Sequence, residues 1–199
     1  MAAKDIDALE TLLLPVMANN SIDFVAAVDT SGMGISTWGV EKGSDTYLRA
    51  EGHDFSAIPL VANILDGTPD AIGDKYVGFL DPSIGRVLAT SAPVYDNQNN
   101  LTGVLIVGSL VEQMLQEIKT QALAQLILLD LDEVLISTTV PLLGDTHVIL
   151  EQAGAQATAS SSPQPIDTFL NEQPYQIWFV DLPLRGQTVG HLGVALPNS

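Results

Sequence analysis

The chain has 199 residues, with 24 acidic against 7 basic side chains, a formal net charge of -17 and 46% hydrophobic residues. That length suits one large or two small domains, and the apolar content suffices for packed cores. So negative a surface repels phosphate backbones and anionic headgroups, which argues against nucleic acid as a partner, and the lack of cysteine excludes disulfides, thiolate metal sites and a cysteine nucleophile.

Residues 4–18 place Ile6, Leu9, Leu12, Leu13 and Val16 at helical spacing, which predicts an amphipathic lead-in helix that kinks or ends at Pro15. Its Leu12-Leu13-Leu14 run is too short for the apolar core of a signal peptide and lacks a basic flank. Strands are predicted at 22–29 and 35–40, joined as a hairpin by a glycine-bearing turn at 30–34. A polar interval follows at 41–55, containing Tyr47, Arg49 and His53. Asp54 or Ser56 can cap a short helix in which Ile58, Val61, Ala62 and Leu65 share a face, with Pro59 admissible in its first turn and Gly67 at its end. Three further strands follow at 73–80, 86–94 and 101–108, separated by the Asp81-Pro82-Ser83 turn and the polar loop 95–100.

At Leu110, Val111, Met114, Leu115, Ile118 and Ala122 the apolar spacing becomes helical, and Ser109 with Glu112 reads as a capping box at the start of that helix. A strand pair is predicted across 126–139, a helical or loop region from 145 to about 157, a flexible Ser/Pro-containing tract at 157–165, and strands at 175–182 and 189–195. No run approaches the roughly 18 apolar residues of a membrane-spanning helix. The chain starts directly in a helical pattern and stops directly after a strand, so a piece of a longer protein is expected.

The two halves look like one module written twice. Val28-Asp29-Thr30-Ser31-Gly32-Met33-Gly34-Ile35-Ser36-Thr37 aligns with Leu129-Asp130-Leu131-Asp132-Glu133-Val134-Leu135-Ile136-Ser137-Thr138, and Leu101-Thr102-Gly103-Val104-Leu105-Ile106-Val107 with Thr188-Val189-Gly190-His191-Leu192-Gly193-Val194. Four ends in matching order predict tandem units: a lead-in helix over 1–20, a first module over 21–109, a connecting helix over 110–125 and a shorter second module over 126–199.

Strands with a helix inserted after the second resemble a PAS-like module, and two such modules after an amphipathic helix resemble a double Cache sensor domain. The phrases that carry this resemblance are Phe24-Val25-Ala26-Ala27-Val28-Asp29-Thr30-Ser31-Gly32, Ala89-Thr90-Ser91-Ala92-Pro93-Val94-Tyr95-Asp96 and Leu101-Thr102-Gly103-Val104-Leu105-Ile106-Val107-Gly108. The resemblance implies an α+β fold of two tandem PAS-like modules, each a central antiparallel sheet flanked by helices. It further implies an extracytoplasmic part of a bacterial histidine kinase, diguanylate or adenylate cyclase or chemoreceptor, attached to the membrane only through flanking segments. The first, membrane-distal module would hold a small ligand, and the lead-in helix would pair two copies as a homodimer. The family's amino-acid-sensing branch carries a dense aromatic and arginine motif; Tyr47-Leu48-Arg49 lacks its adjacent aromatic pair, so that specificity does not transfer.

Candidate ligand residues lie between the second and fourth strands of the first module: Trp38, Tyr47, Arg49, His53, Asp74, Tyr76 and Ser91. Arginine clamps a carboxylate with paired hydrogen bonds, and Tyr and Trp supply flat walls with a polar tip. Arg49, one of three arginines, sits four residues from His53, which favours an anionic group, an organic acid or an amino-acid-like molecule. The competing reading pairs Arg49 with a carboxylate such as Glu51 and leaves the tyrosines as core. A ligand-free structural or dimerisation module is the alternative function.

Catalytic motifs are poorly supported, and the chain is read as a non-enzyme without cofactor or metal. Asp130-Leu131-Asp132 after an apolar strand resembles a haloacid dehalogenase-type nucleophile loop, but no lysine lies downstream of it, nor an adjacent acidic pair to hold magnesium. A β-turn is the simpler reading. His53, His147 and His191 lack metal-ligand spacing, Gly32-Met33-Gly34 lacks the third glycine and helix of a phosphate loop, and no Gly-x-Ser-x-Gly elbow is present.

Overall fold

The computed structural model describes residues 6–41, 44, 46–50, 52–69, 72–159 and 164–198. The chain divides into two compact units, Met1–Leu110 and Val111–Ser199. Among the described residues no helix is long and apolar enough to cross a membrane.

The first unit contains α1 (Ile6–Asn19), β1 (Phe24–Asp29), β2 (Gly34–Val40), β3 (Tyr47–Ala50), α2 (Pro59–Leu65), β4 (Tyr76–Leu80), β5 (Val87–Tyr95) and β6 (Leu101–Leu110). Its six strands form one sheet in the order β3-β2-β1-β6-β5-β4, antiparallel throughout. Strand alternation sorts the side chains: Phe24, Ala26 and Val28 join Val104, Ile106, Val87 and Ala89 in a core with Leu60, Val61 and Ile64 of α2. On the opposite face α1 packs against β1 and β2.

In the second unit are α3 (Val111–Ala122), β7 (Gln125–Leu129), β8 (Leu135–Thr138), α4 (Thr146–Thr158), β9 (Ile166–Leu170), β10 (Gln173–Leu184) and β11 (Gln187–Pro197). Its sheet runs β8-β7-β11-β10-β9, also antiparallel. Ile127, Leu129, Ile177, Phe179 and Ala195 meet Leu150 and Ala153 of α4 in a separate core.

The two units repeat one plan. In each, the opening hairpin's first strand pairs with the unit's last strand, and a helix lies between the hairpin and the closing strands. The details coincide. Asp29 Oδ1 accepts the Ser31 and Met33 amides at 2.9 and 3.1 Å, and Asp130 Oδ1 accepts those of Asp132 and Val134, each at 2.9 Å. A Cβ placed on Gly103 would collide with the Val28 carbonyl oxygen, and one on Gly190 with the Leu129 carbonyl oxygen. Both glycines are required by the close approach of a neighbouring backbone.

Several expectations need correcting. α1 continues through Pro15 to Asn19. The interval 41–55 holds an edge strand, β3, and residues 166–170, just past the flexible tract of 157–165 and without an assignment from sequence, form β9; 160–163 of that tract lie outside the described residues. Ser109 does not open a capping box, because β6 runs through it, paired with Leu88, and the Leu110 N–H is instead taken by Asp23 Oδ2 at 2.7 Å. Nor do Asp54 or Ser56 cap α2: its N-cap is Ile58, with no side-chain cap, and Pro59 opens the helix. Gly67, at φ +64, does end it, with the Thr68 N–H returning to the Asn63 carbonyl.

Candidate functional site

The α2 side of the first sheet is incompletely filled, and the reason lies in residue size. Thr37 and Gly39 of β2 and Leu48 and Ala50 of β3 lie on that face, and three of these four are small. Ile84 reaches over Gly39, where a Cβ would meet its Cγ2 at 2.7 Å. The result is a cavity of about 240 Å³ bordered by β2, β3, His53 and the Pro82-Ser83-Ile84 turn. A second cavity of about 230 Å³ is walled by Phe24, Phe55, Ile58, Leu80 and Asp81. The two share Phe24, His53 and Pro82, so they form one groove over Phe24.

Backbone hydrogen bonds fix its walls. The Gly34 N–H donates to the His53 carbonyl and the Phe55 N–H to the Gly32 carbonyl, each at 2.8 Å, which ties residues 53–55 to the β1–β2 turn. This explains Gly32-Met33-Gly34: Gly32, at φ +86, lies against the Ser56 backbone and leaves no room for a Cβ. The His53 and Phe55 rings stack obliquely, with centroids 5.9 Å apart. Across the groove, Arg86 holds Asp81 through Nε and a second guanidinium nitrogen, the latter at 2.7 Å, bracing the β4–β5 turn. The Asp54 carboxyl lies below the ordinary 3.8, because the Ser56 hydroxyl and then the Ser56 N–H donate to its ionised form. Carboxylates outnumber bases here: Glu41, Asp54 and Asp81 border the groove, against His53 and Arg49.

The predicted ligand residues disperse. His53 lies at the junction of the two cavities. Arg49 borders the groove through its strand, yet its side chain belongs to the other face: it pairs across β2–β3 with Trp38, and its Nε lies 3.3 Å from Glu10 Oε1 on α1. Among the described residues its partner carboxylate is Glu10; Glu51, the carboxylate of the competing reading, lies outside the described residues. Trp38 is on that α1 side too, its Nε1 donating to Ser36 Oγ at 3.1 Å. Tyr47 packs against the edge of the core. Ser91 is fully buried and its hydroxyl donates to the Leu60 carbonyl at 2.6 Å, which clamps α2 to β5. Asp74 and Tyr76 border a different cavity, of about 180 Å³, at the C-terminal end of α2.

Phe24, Phe55, Pro82 and Ile84 were not singled out from sequence. The signal that marks their groove is the set of small residues at alternate positions, Thr37 and Gly39 with Ala50 across the ladder, which leaves space beneath bulky loop side chains. Asp130, whose carboxylate holds the β7–β8 turn, has the structural role the β-turn reading gave it.

No protein-family model matches this sequence, and no curated protein matches it. Solved structures do. A domain of a sensory box/GGDEF family protein from Vibrio parahaemolyticus superposes with a TM-score of 0.67 at 13% identity, covering 97% of this chain and 78% of that one. The extracellular domain of the histidine kinase vpHK1S-Z8 gives 0.66 at 15%, covering 97% and 76%. The ligand-binding domain of the Campylobacter jejuni chemoreceptor Tlp3, in complex with 4-methylisoleucine, gives 0.61 at 12%, covering 98% and 74%. With an N-terminal helix and two antiparallel sheets flanked by helices, the chain has the double-Cache-like fold of the extracellular ligand-binding domains of chemoreceptors and histidine kinases.

Proposed function

We propose that the chain is the extracytoplasmic sensing region of a transmembrane receptor and that its first unit, the membrane-distal one, takes a small ligand in the groove over Phe24. The observation that carries this reading is the groove itself, with its aromatic and apolar walls and a few polar groups, His53 at the junction and Glu41, Asp54 and Asp81 on the border. Each cavity is below the roughly 300 Å³ at which drug-sized pockets begin, and together they reach that range. The ligand is a small, mainly apolar molecule with a hydrogen-bonding head at the His53 end. A simple organic acid fits less well than the sequence suggested, because Arg49 faces Glu10 and the groove's carboxylates outnumber its bases. An amino-acid-like ligand is in keeping with the fold shared with Tlp3, described in complex with 4-methylisoleucine and L-norvaline.

The ligand acts on the receptor only through unequal affinity for two conformations. β3 is placed for this: Leu48 and Ala50 border the groove while Arg49, between them, holds α1 through Glu10. A thermal-shift screen of amino acids, small amides and amines, and organic acids tests the reading. A ligand at a hundredfold excess over its Kd stabilises by about 2.7 kcal/mol, or roughly 5–10 °C. Ala50→Trp on the edge strand fills the groove and abolishes that shift. Silence across the panel, or a shift that survives Ala50→Trp, overturns the assignment.

A further inference from the structure

We infer that Ile84, in the turn between β4 and β5, limits the length of apolar chain that a ligand carries into the groove, a reading that rests on the groove over Phe24 being the binding site. Gly39 is where the residues point to this. It stands inside β2, where glycine weakens a strand because it has no side chain to pack, and where its presence marks the close approach of another group. Here that group is a side chain. A Cβ on Gly39 would meet the Ile84 Cγ2 at 2.7 Å, its Cδ1 at 3.0 Å and its Cγ1 at 3.4 Å, so Ile84 lies directly on the bare backbone of β2.

The turn holds Ile84 in that place. The Gly85 N–H donates to the Pro82 carbonyl at 3.0 Å, Arg86 grips Asp81 across the base of the turn, and the Ile84 side chain is half-buried against the first core. Such a side chain is a fixed boundary.

Its position decides what it bounds. Of the large apolar side chains that border the cavity over β2 and β3, Phe24 and Leu48 belong to the sheet, where they pair with Gly39 from either side, and Ile84 comes from the turn above it. The small residues Thr37 and Ala50 leave room on the same face. Space that Ile84 takes over Gly39 is therefore space denied to the ligand's chain. One methylene too many or too few in an apolar pocket changes binding by about tenfold or more, so a single side chain at this boundary suffices to select chain length.

Calorimetric titration of the full chain with L-alanine, L-norvaline and L-norleucine, and with the straight-chain amides, amines and acids of the same chain lengths, tests the proposal in the parent, Ile84→Ala and Gly39→Ala. In the class that binds, Ile84→Ala should raise the affinity ratio of the longer to the shorter member by about tenfold. Gly39→Ala adds a methyl group to the floor and displaces Ile84, so it should move the ratio the opposite way by a similar factor. Ile84→Val should give a smaller change in the same direction as Ile84→Ala, and it serves if the larger truncation does not fold. The contact itself is read by urea unfolding: Gly39→Ala should lower the midpoint in the parent and not in the Ile84→Ala background. One chain-length order in every variant, with binding still lost in Ala50→Trp, overturns the role of Ile84 and leaves the groove standing as the site. An equal loss of stability from Gly39→Ala in both backgrounds overturns it as well. Silence of all the series overturns the groove as the binding site, and the role of Ile84 with it.

Discussion

Gly103 and Gly190 offer a matched pair of perturbations. Each faces the backbone of the strand beside it: the ideal Cβ falls well inside 3.0 Å of the Val28 carbonyl oxygen in one unit and of the Leu129 carbonyl oxygen in the other. Backbone in the middle of a sheet cannot rotate away as a side chain can, so β1 and β6, or β7 and β11, must separate locally. Overpacking costs about 1–3 kcal/mol, and loss of a ladder hydrogen bond adds about 1, so Gly103→Ala and Gly190→Ala should each cost about 3 kcal/mol. Gly78→Ala is the control. Its Cβ meets only the Leu60 Cδ2 at 3.3 Å, the far end of a flexible side chain, and the change should stay within about 1 kcal/mol of the parent. The chain has two tryptophans, Trp38 on β2 and Trp178 on β10, one in each unit. Urea unfolding of Trp178→Phe and Trp38→Phe backgrounds therefore reports each unit separately. The first unit should lose stability with Gly103→Ala and the second with Gly190→Ala. A loss below about 0.5 kcal/mol for either would refute the claim that these glycines are equivalent points of close backbone approach.

Other outcomes follow from the same geometry. Ser91→Ala removes a buried hydrogen bond to Leu60 and should destabilise the first unit by about 1–2 kcal/mol, read by urea unfolding, without altering affinity at the groove. Arg49→Met should leave groove affinity within about twofold and speed hydrogen exchange in α1; the half-buried ion pair with Glu10 contributes about 1 kcal/mol. Asp96 has its carboxyl lowered from the ordinary 3.8 chiefly by the Asn100 side-chain amide, then by the Asn100 N–H. A depressed folded pKa gives stability that is present above the unfolded value and lost as pH falls below about 3.8 and through the folded value. Asn100→Ala should raise the Asp96 midpoint in a carboxyl-detected titration and flatten that acid limb; an unmoved midpoint contradicts the assignment.

The fold was legible because it is written twice. Asp29 and Asp130 begin equivalent turns, and Gly103 and Gly190 stand opposite equivalent carbonyls, so short phrases in matching order sufficed to infer tandem sheets. β3 and β9 were missed for a different reason. Both are short edge strands: β3 has no fully buried side chain, and β9 buries Ile166 and Leu170 but carries the apolar Phe169 on its exposed face, so neither sequence shows the apolar alternation that marks a half-buried strand. The capping-box reading failed at Ser109 because Asp23, 87 residues away in sequence, supplies the acceptor for Leu110. A tertiary contact of that kind leaves no local trace.

The site was legible only in part. Residue type picked out Arg49, Trp38 and Ser91, and each has a partner or a place that type alone does not reveal: Glu10 on α1, Ser36 on the far face, and the Leu60 carbonyl. Strand parity decides the side of a sheet, and parity requires β3, which falls within the polar interval 41–55. Once β3 is placed, Trp38 and Arg49 fall together on the α1 face, and the small residues Thr37, Gly39 and Ala50 define the floor of the groove.

The most direct measurement is an amide spectrum of the chain titrated with the strongest stabilising ligand from the thermal-shift panel. The account predicts saturable shifts concentrated at Phe24, Thr37, Ala50, His53, Phe55 and Ile84, with a lesser response in α1 and no comparable cluster in the second unit. Shifts centred on the second unit, with the residues around Phe24 unmoved, would contradict it.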